Sequence, residues 1–261
     1  MQGKGPESGS GPLLLKLMRT IKLTIEYDGT NYAGWQVQTN GLAIQQVMEN
    51  ALAMILGSSV RLYSSGRTDA GVHAKGMVAI FRTSRELPLS AFSDGVNSHL
   101  PPDIVVRDAE EAVADFDPRR DARGKHYRYT ILNTPRRSPL CRLYVWHLKG
   151  SLDIAAMREA ALLMVGEKDF AAFRTSGCAA RTTVRNVFSV DVTLEGELIL
   201  IDVKGSGFLR NMVRIMVGTL VTVGQGKMQV VAIPALFNGK IDATAGMTAP
   251  PQGLSLVEVY Y

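Results

Sequence analysis

Cysteine is almost missing from this sequence. Cys141 and Cys178 are the only two, and they form no Cys-x-x-Cys pair. A disulfide framework and a cysteine-built zinc site are therefore both unexpected. The four histidines, His73, His99, His126 and His147, are scattered, so the residue pattern calls for no metal. Long apolar runs are lacking too. None approaches the ~20 residues of a membrane-spanning helix, and no membrane partner is expected. Residues 1–12 are rich in Gly, Ser and Pro, and the apolar run at 13–15 is too brief for a signal peptide. Residues 1–18 read as a flexible N-terminal extension. These absences together point to a reducing, cytoplasmic setting. A strong charge of one sign is also missing. Lys and Arg number 29 against 24 Asp and Glu, a net charge of +5. That excess permits a polyanionic partner without demanding one, and a mildly basic enzyme with a small substrate fits it equally.

What the sequence does hold is an ordinary folded composition. Hydrophobic residues make up 46% of the 261, and mean hydropathy is +0.05. That is enough for one or two domains with ample core and excludes a disordered chain. Residues 21–27 alternate strictly between apolar and polar, which predicts a half-buried strand. Asp28, Gly29, Thr30 and Asn31 end it with turn chemistry. Across residues 43–56 the apolar Ile44, Val47, Met48, Ala51 and Ile55 recur at three and four, giving an amphipathic helix that stops before Gly57. Strands are predicted at 60–63 and 77–81, a helix from Ser90 towards Asn97, and a strand at 104–107 after Pro101 and Pro102.

The same order then recurs. A strand is predicted at 124–132, and a helix at 153–165 capped by Ser151 with Ile154, Met157, Ala161 and Leu162 on one face. A hairpin joins 187–192 to 198–203 around Gly196. A helix at 208–223, a short helical piece at 233–237 and a strand at 254–259 complete the chain. The expected fold is α+β. Two ferredoxin-like (split βαβ) halves, residues 19–115 and 116–261, join antiparallel sheets into one platform with a central cleft. Sheet platforms bind RNA in some proteins, so element order alone does not fix function.

The polar stretch at 66–73 stands out between two strand-like runs. Asp69 sits among small residues, with Arg67 two positions before it and His73 four after. A glycine-edged turn on a strand holds a reactive side chain on a rigid platform. On spacing alone, a hairpin corner whose Asp caps the turn is the commoner arrangement. Arg214 is the second residue to stand out. It lies near the start of a strongly apolar helix, where a cation needs a partner, and a carboxylate such as Asp69 would satisfy it.

The run Gly66-Arg67-Thr68-Asp69-Ala70-Gly71-Val72-His73 resembles the signature of the TruA family of tRNA pseudouridine synthases. Other blocks follow in family order. Residues 25–30 with Tyr32, Gly34, Trp35, Gln36 and Gln38 are similar to the family's opening strand and turn, and residues 124–129 to its central strand. Asp169, Phe170, Phe173, Arg174, Arg181 and residues 182–185 follow its pattern in the second half. Residues 205–214 resemble the start of its late helix, and residues 249–251 with Gly253 and Leu254 its last strand. Met77 and Ile80 depart from it, standing where many members carry Gln and His.

The resemblance implies an isomerase that converts uridine to pseudouridine at positions 38, 39 and 40 of the tRNA anticodon stem-loop. It implies a homodimer with one tRNA touching both subunits, and no cofactor. Asp69 is then the nucleophile, and Arg214 pairs with it and lowers its pKa. Arg67 enters the space of the extruded base or contacts the phosphate beside it. Tyr127 offers the flipped uracil an aromatic face and a hydroxyl for proton transfer. Leu254 packs under the base, and Phe208 supports the site. Lys75, Arg174, Arg181, Arg185 and Arg210 are candidates for phosphate contact, with Arg174 and Arg181 foremost. His73 fixes the loop by a hydrogen bond. Two other classes stay open. A non-catalytic RNA-binding platform explains charge and sheets but not an acid among cations. A hydrolase built on Asp69 and His73 wants a second carboxylate, for which Asp28 is the one remote candidate.

Overall fold

A computed structural model describes residues 18–175, 180–238 and 244–261. Cys178 and nearly all of the expected N-terminal extension lie outside them. The chain is mixed α+β, built on one large mixed sheet. In chain order the strands are β1 (Arg19–Tyr27), β2 (Tyr63–Ser64), β3 (His73–Thr83), β4 (Ile104–Ala112), β5 (Gly124–Asn133), β6 (Trp146–Leu148), β7 (Gly166–Asp169), β8 (Val184–Glu195), β9 (Leu198–Gly205) and β10 (Leu254–Tyr260). They lie in the order β4-β1-β3-β10-β5-β9-β8-β7, with β2 added to β3 and β6 to β5. The α-helices are α1 (Ile44–Leu56), α2 (Ile154–Leu162) and α3 (Met212–Gly224).

Local chemistry sets most of these boundaries. In β1, Ile21, Leu23 and Ile25 are fully buried while Lys22, Thr24 and Glu26 are half-buried. α1 ends where Gly57 turns left-handed (φ 69) and returns its N–H to Ala53 O at 2.9 Å. The helix expected from Ser90 towards Asn97 is present over residues 89–97, with a π segment at Ala91–Gly95 that buries Phe92 against Phe81.

Register carries one face of the sheet across its middle. Ala74 lies beside Leu256, Leu256 beside Tyr127, and Tyr127 beside Val203. On that face sit two hydrophobic cores. One joins β1, β3, Leu256 and Val259 to α1; the other joins β5, β8, β9 and Leu254 to α2 and α3. Each reaches past the middle: Val72 belongs to the second core, Leu256 to the first. Tyr127 packs against both. The seam between the cores is where a cleft has room to form.

Several expectations change. The sheets do not join antiparallel throughout: β3 and β10 meet parallel at the seam, through His73 with Ser255 and Ala74 with Leu256, and β6 runs parallel to β5. The strand expected at 60–63 is displaced to Tyr63–Ser64. Side chains of α1 have taken the backbone of Leu62, with Glu49 accepting from its N–H and Gln45 donating to its C=O. The cap of α2 is Asp153, which accepts from Ala156 N at 2.9 Å, and not Ser151. Leu162, expected on the buried face of α2, is 71% exposed. α3 begins at Met212 and not 208, because Asn211 has left-handed backbone (φ 61) that breaks helical continuity.

Candidate active site

The loop at 65–72 is held from both sides by short bonds. Tyr27 Oη and Thr68 Oγ1 are 2.8 Å apart in the core, and Trp35 N–H donates to Thr68 O at 3.1 Å. Asp69 O accepts from Val72 N at 3.1 Å, closing a turn. The segment that follows β1 lies directly on this loop. A Cβ on Gly29 would sit 2.0 Å from Val72 O, and one on Gly34, whose φ is +100, would sit 2.6 Å from Thr68 O. Only glycine fits either place. Gly34→Ala is expected to cost about 2 kcal/mol of stability and to lower activity beyond its effect on folding, by shifting the Asp69 turn. Urea unfolding alongside rates on the folded fraction separates the two effects. From the other side, Lys125 Nζ donates to Ser65 O at 2.7 Å. Burial, helped by Arg119, pushes the Lys125 ammonium down to about 8.

Arg214 is brought to this loop from α3. Its Nη1 lies 4.0 Å from Asp69 Oδ2, with the Arg side chain 14% exposed and the Asp side chain 35%. That is ion-pair contact, longer than a hydrogen bond. The guanidinium's hydrogen bonds go elsewhere: Nε donates to Ala249 O at 2.7 Å and Nη1 to Asn211 Oδ1 at 2.8 Å. Ala249 returns the favour through its N–H to Arg214 O at 3.1 Å. Tyr129, fully buried, holds the same stretch by donating to Pro250 O at 2.8 Å. Burial raises the carboxyl of Asp69 above the usual carboxylate range, and Arg214 and then Arg210 draw it only part of the way back. The net shift is upward. Arg214 does act in the expected sense, but desolvation is the larger effect.

Tyr127 stands at the seam and meets Phe208 edge-on, with ring centroids 5.3 Å apart at 86°. Burial, and then the charge of Asp69, push its hydroxyl far above the ordinary tyrosine range. It stays protonated across neutral pH. Leu254 is 5% exposed and pairs with Tyr129 on the same face, one diagonal step from Tyr127. Phe208 lies before α3 and not within it. These groups bring an acid, a nearby cation and an aromatic ring together from distant parts of the chain, with the apolar Leu254 one diagonal step from that ring.

The chain as a whole is similar to known proteins. A family described as tRNA pseudouridine synthase matches residues 23–119 and 160–261. The chain belongs to the tRNA pseudouridine synthase family. It is 64% identical over 244 residues to tRNA pseudouridine synthase A of Geotalea uraniireducens, covering 94% of this chain and 100% of that one. The protein of the same description from Geobacter sulfurreducens is 62% identical over 250 residues, with the same coverage. That from Myxococcus xanthus is 48% identical over 245, covering 94% of this chain and 92% of the relative. The matched family segments hold Arg67, Asp69, Arg214 and Leu254, while Tyr127 lies in the stretch between them.

A tRNA pseudouridine synthase needs cations beside its cleft, and the structure sorts the candidates. Arg67, Arg174, Arg181 and Arg210 are exposed, free of the cost of a buried charge. Arg210 acts on Asp69 through its field, so it stands nearer the acid than a distant phosphate contact would. Arg185 is turned back onto its own loop, donating to Thr182 O and Val184 O. Lys75 is exposed but is not brought to Asp69. It lines a cavity of about 510 Å³ on the other face of the sheet, with Asp28, His73, Arg128 and Ser255. His73 Nδ1 accepts from Gly29 N–H at 3.1 Å and lies 3.0 Å from Asp28 Oδ1, and Nε2 lies 3.0 Å from Leu143 O. That is a brace between segments. Among the described residues no group of three or more His, Cys, Asp or Glu could hold a metal ion, and no helix is long and apolar enough to cross a membrane.

Sequence reasoning missed Asn211, Tyr129, Lys125 and Tyr27. Tyr27, Lys125 and Tyr129 act through bonds between residues far apart in the chain, which leave no local pattern, while Asn211 bonds Arg214 three positions on. Tyr129 and Tyr27 gave a signal of burial, through the alternations that also hold Tyr127 and Ile25.

Proposed function

We propose that this chain isomerises uridine to pseudouridine in the anticodon arm of tRNA, with Asp69 as the nucleophile. The observation that carries the reading is the approach of Arg214 to Asp69 at 4.0 Å beside Tyr127. The reaction breaks the N1–C1′ bond of uridine, turns the base, and forms a C5–C1′ bond. N1 gains a proton and C5 loses one, so atoms balance without oxidant, reductant or donor. Asp69 attacks to form a covalent intermediate. Arg214 and Arg210 favour the ionised form of the half-buried Asp69 carboxyl, which burial opposes. Tyr127 stacks against the loosened uracil and, being protonated, donates a hydrogen bond or relays a proton in exchange for one. Leu254 forms the apolar floor and Phe208 steadies the Tyr127 ring.

The base must leave its stack to reach Asp69, at a cost of a few kcal/mol that is least in loops and at stem ends. Arg67, at the mouth of the loop, fills the vacated space or holds the adjacent phosphate. Arg174 and Arg181 bind backbone on the C-terminal side. Uridines 38, 39 and 40 are the targets, which asks for recognition by shape and flexibility rather than by base identity. The same reading makes the enzyme a cytoplasmic homodimer without cofactor, in which one tRNA touches both subunits. It divides the chain into two ferredoxin-like halves, residues 19–115 and 116–261. The strand orders β4-β1-β3 and β10-β5-β9-β8 on either side of the seam support that division.

Incubation with unmodified tRNA, followed by carbodiimide treatment and primer extension, tests the reading. New stops are expected in the anticodon arm. A protein that binds tRNA and produces none is the RNA-binding platform instead. Arg174→Ala is expected to weaken tRNA binding and to reduce the slope of log K against log salt by about 0.7–0.9, one phosphate contact. Titrations at three salt concentrations measure it, and an unchanged slope takes Arg174 off the RNA surface.

A further inference from the structure

We propose that Asn211 is a positioning residue for the nucleophile. It holds the Arg214 guanidinium at a distance that balances the charge of Asp69 without occupying the lone pairs Asp69 needs for attack. This rests on the reading of Asp69 as nucleophile. Asn211 is the one non-glycine residue with positive φ among the described residues (φ 61, ψ 5). Side-chain-bearing residues avoid that conformation, Asn less than most. At the N-terminus of α3 an asparagine ordinarily caps the first turn, yet the Asn211 side chain makes no cap bond. Both ends of its amide are used sideways. Oδ1 accepts from Arg214 Nη1 at 2.8 Å, and Nδ2 donates to Thr175 Oγ1 at 3.1 Å. The two partners fix the amide's orientation, since its NH₂ cannot face a guanidinium N–H.

Nη1 is also the nitrogen that lies 4.0 Å from Asp69 Oδ2. With Nε on Ala249 O, the guanidinium is tethered at two points, and neither is Asp69. Without the amide oxygen, Nη1 loses an acceptor, and Asp69 Oδ2 is about 1 Å beyond bonding distance. A direct, charge-assisted bond there would take up a carboxylate lone pair and make the carboxylate a weaker base. Charged and titratable groups facing Asp69 are Arg214 on α3, Arg210 just before it and Tyr127 on β5; Tyr129 on β5 faces Arg214. Through Thr175 the tether also reaches the segment that carries Arg174, so RNA held there bears on the Arg214 side chain.

The test is the pH dependence of kcat and KM in steady-state modification of unmodified tRNA by wild type, Asn211→Gly and Asn211→Asp. Glycine takes left-handed backbone without strain, so that variant folds. It is expected to lose about tenfold or more in kcat with KM within about twofold, and the acid limb of its profile moves to lower pH as Arg214 closes on Asp69. Asn211→Asp keeps an oxygen against Nη1 and adds a negative charge. It is expected to retain more activity than the glycine variant, with its acid limb moved to higher pH. Acid limbs unmoved in both variants, or a loss confined to KM, overturn the proposal. An active Asp69→Asn enzyme instead overturns the assignment beneath it.

Discussion

Asp69→Asn is expected to end pseudouridine formation, lowering the rate by roughly 10⁴-fold or more, while tRNA affinity stays within about threefold. The amide keeps the shape of the side chain and loses only its nucleophilic charge. Its effect on stability runs the other way. The folded carboxyl is raised above its unfolded value, chiefly by burial and despite Arg214 and Arg210. Folding therefore favours the protonated form, and the native state is penalised at any pH above that raised value. The penalty fades as pH falls through it. A neutral amide removes the penalty, so the variant should melt no lower than wild type at pH 7. A protein that is inactive, intact in binding and at least as stable is the signature of a residue kept for chemistry. Melting curves at pH 7 and at pH 5, read beside the modification assay, measure it; the gap should narrow at the lower pH.

Arg214→Met is the second large effect. The guanidinium is 14% exposed and bonded to Ala249 O and Asn211 Oδ1. Methionine keeps much of the volume but removes the cation and leaves both acceptors short of a donor. Without its main cation the Asp69 carboxyl moves further up. Activity at pH 7 is expected to fall about 10²-fold, ~2.7 kcal/mol, with the acid limb of the profile shifted to higher pH. Raising the pH should recover part of the loss. Arg214→Lys is expected to fall between the two, since an ammonium on a flexible stem cannot hold both acceptors in one plane. A methionine variant with wild-type rate and profile would remove Arg214 from the chemistry.

How much of this was legible beforehand depends on the range of the signal. β1 was legible because Ile21, Leu23 and Ile25 alternate with polar residues, and α1 because its apolar spacing runs into Gly57. The β8–β9 hairpin was legible from alternation around Gly196, whose φ is +62. β7 was not: Gly166-Glu167-Lys168-Asp169 lies at a sheet edge, bonded on one side only, so nothing selects for alternating apolar residues. β6 is three residues long and exists because β5 offers it a place. The displaced β2 shows tertiary bonds overriding local preference, since Glu49 and Gln45 claim the backbone of Leu62. At the site, Asp69, Tyr127 and Arg214 came from family resemblance, with the need of a buried arginine for a partner as the one physical hint. Their electrostatics were not legible. The sign of the Asp69 shift turns on burial, which a sequence does not display. Gly29 and Gly34 looked like turn residues, and their close approach to residues 68–72 shows only in three dimensions.

The central claim is that Asp69 drives a uridine isomerisation, and loss of the C5 hydrogen reports that reaction whichever atom is attacked first. The direct measurement is single-turnover release of tritium from tRNA labelled at C5 of its uridines, with wild type and Asp69→Asn bound to equal extents. Wild type should release tritium in step with new carbodiimide stops in the anticodon arm, and the variant should stay at background. Release by Asp69→Asn at a rate near that of wild type would contradict the account.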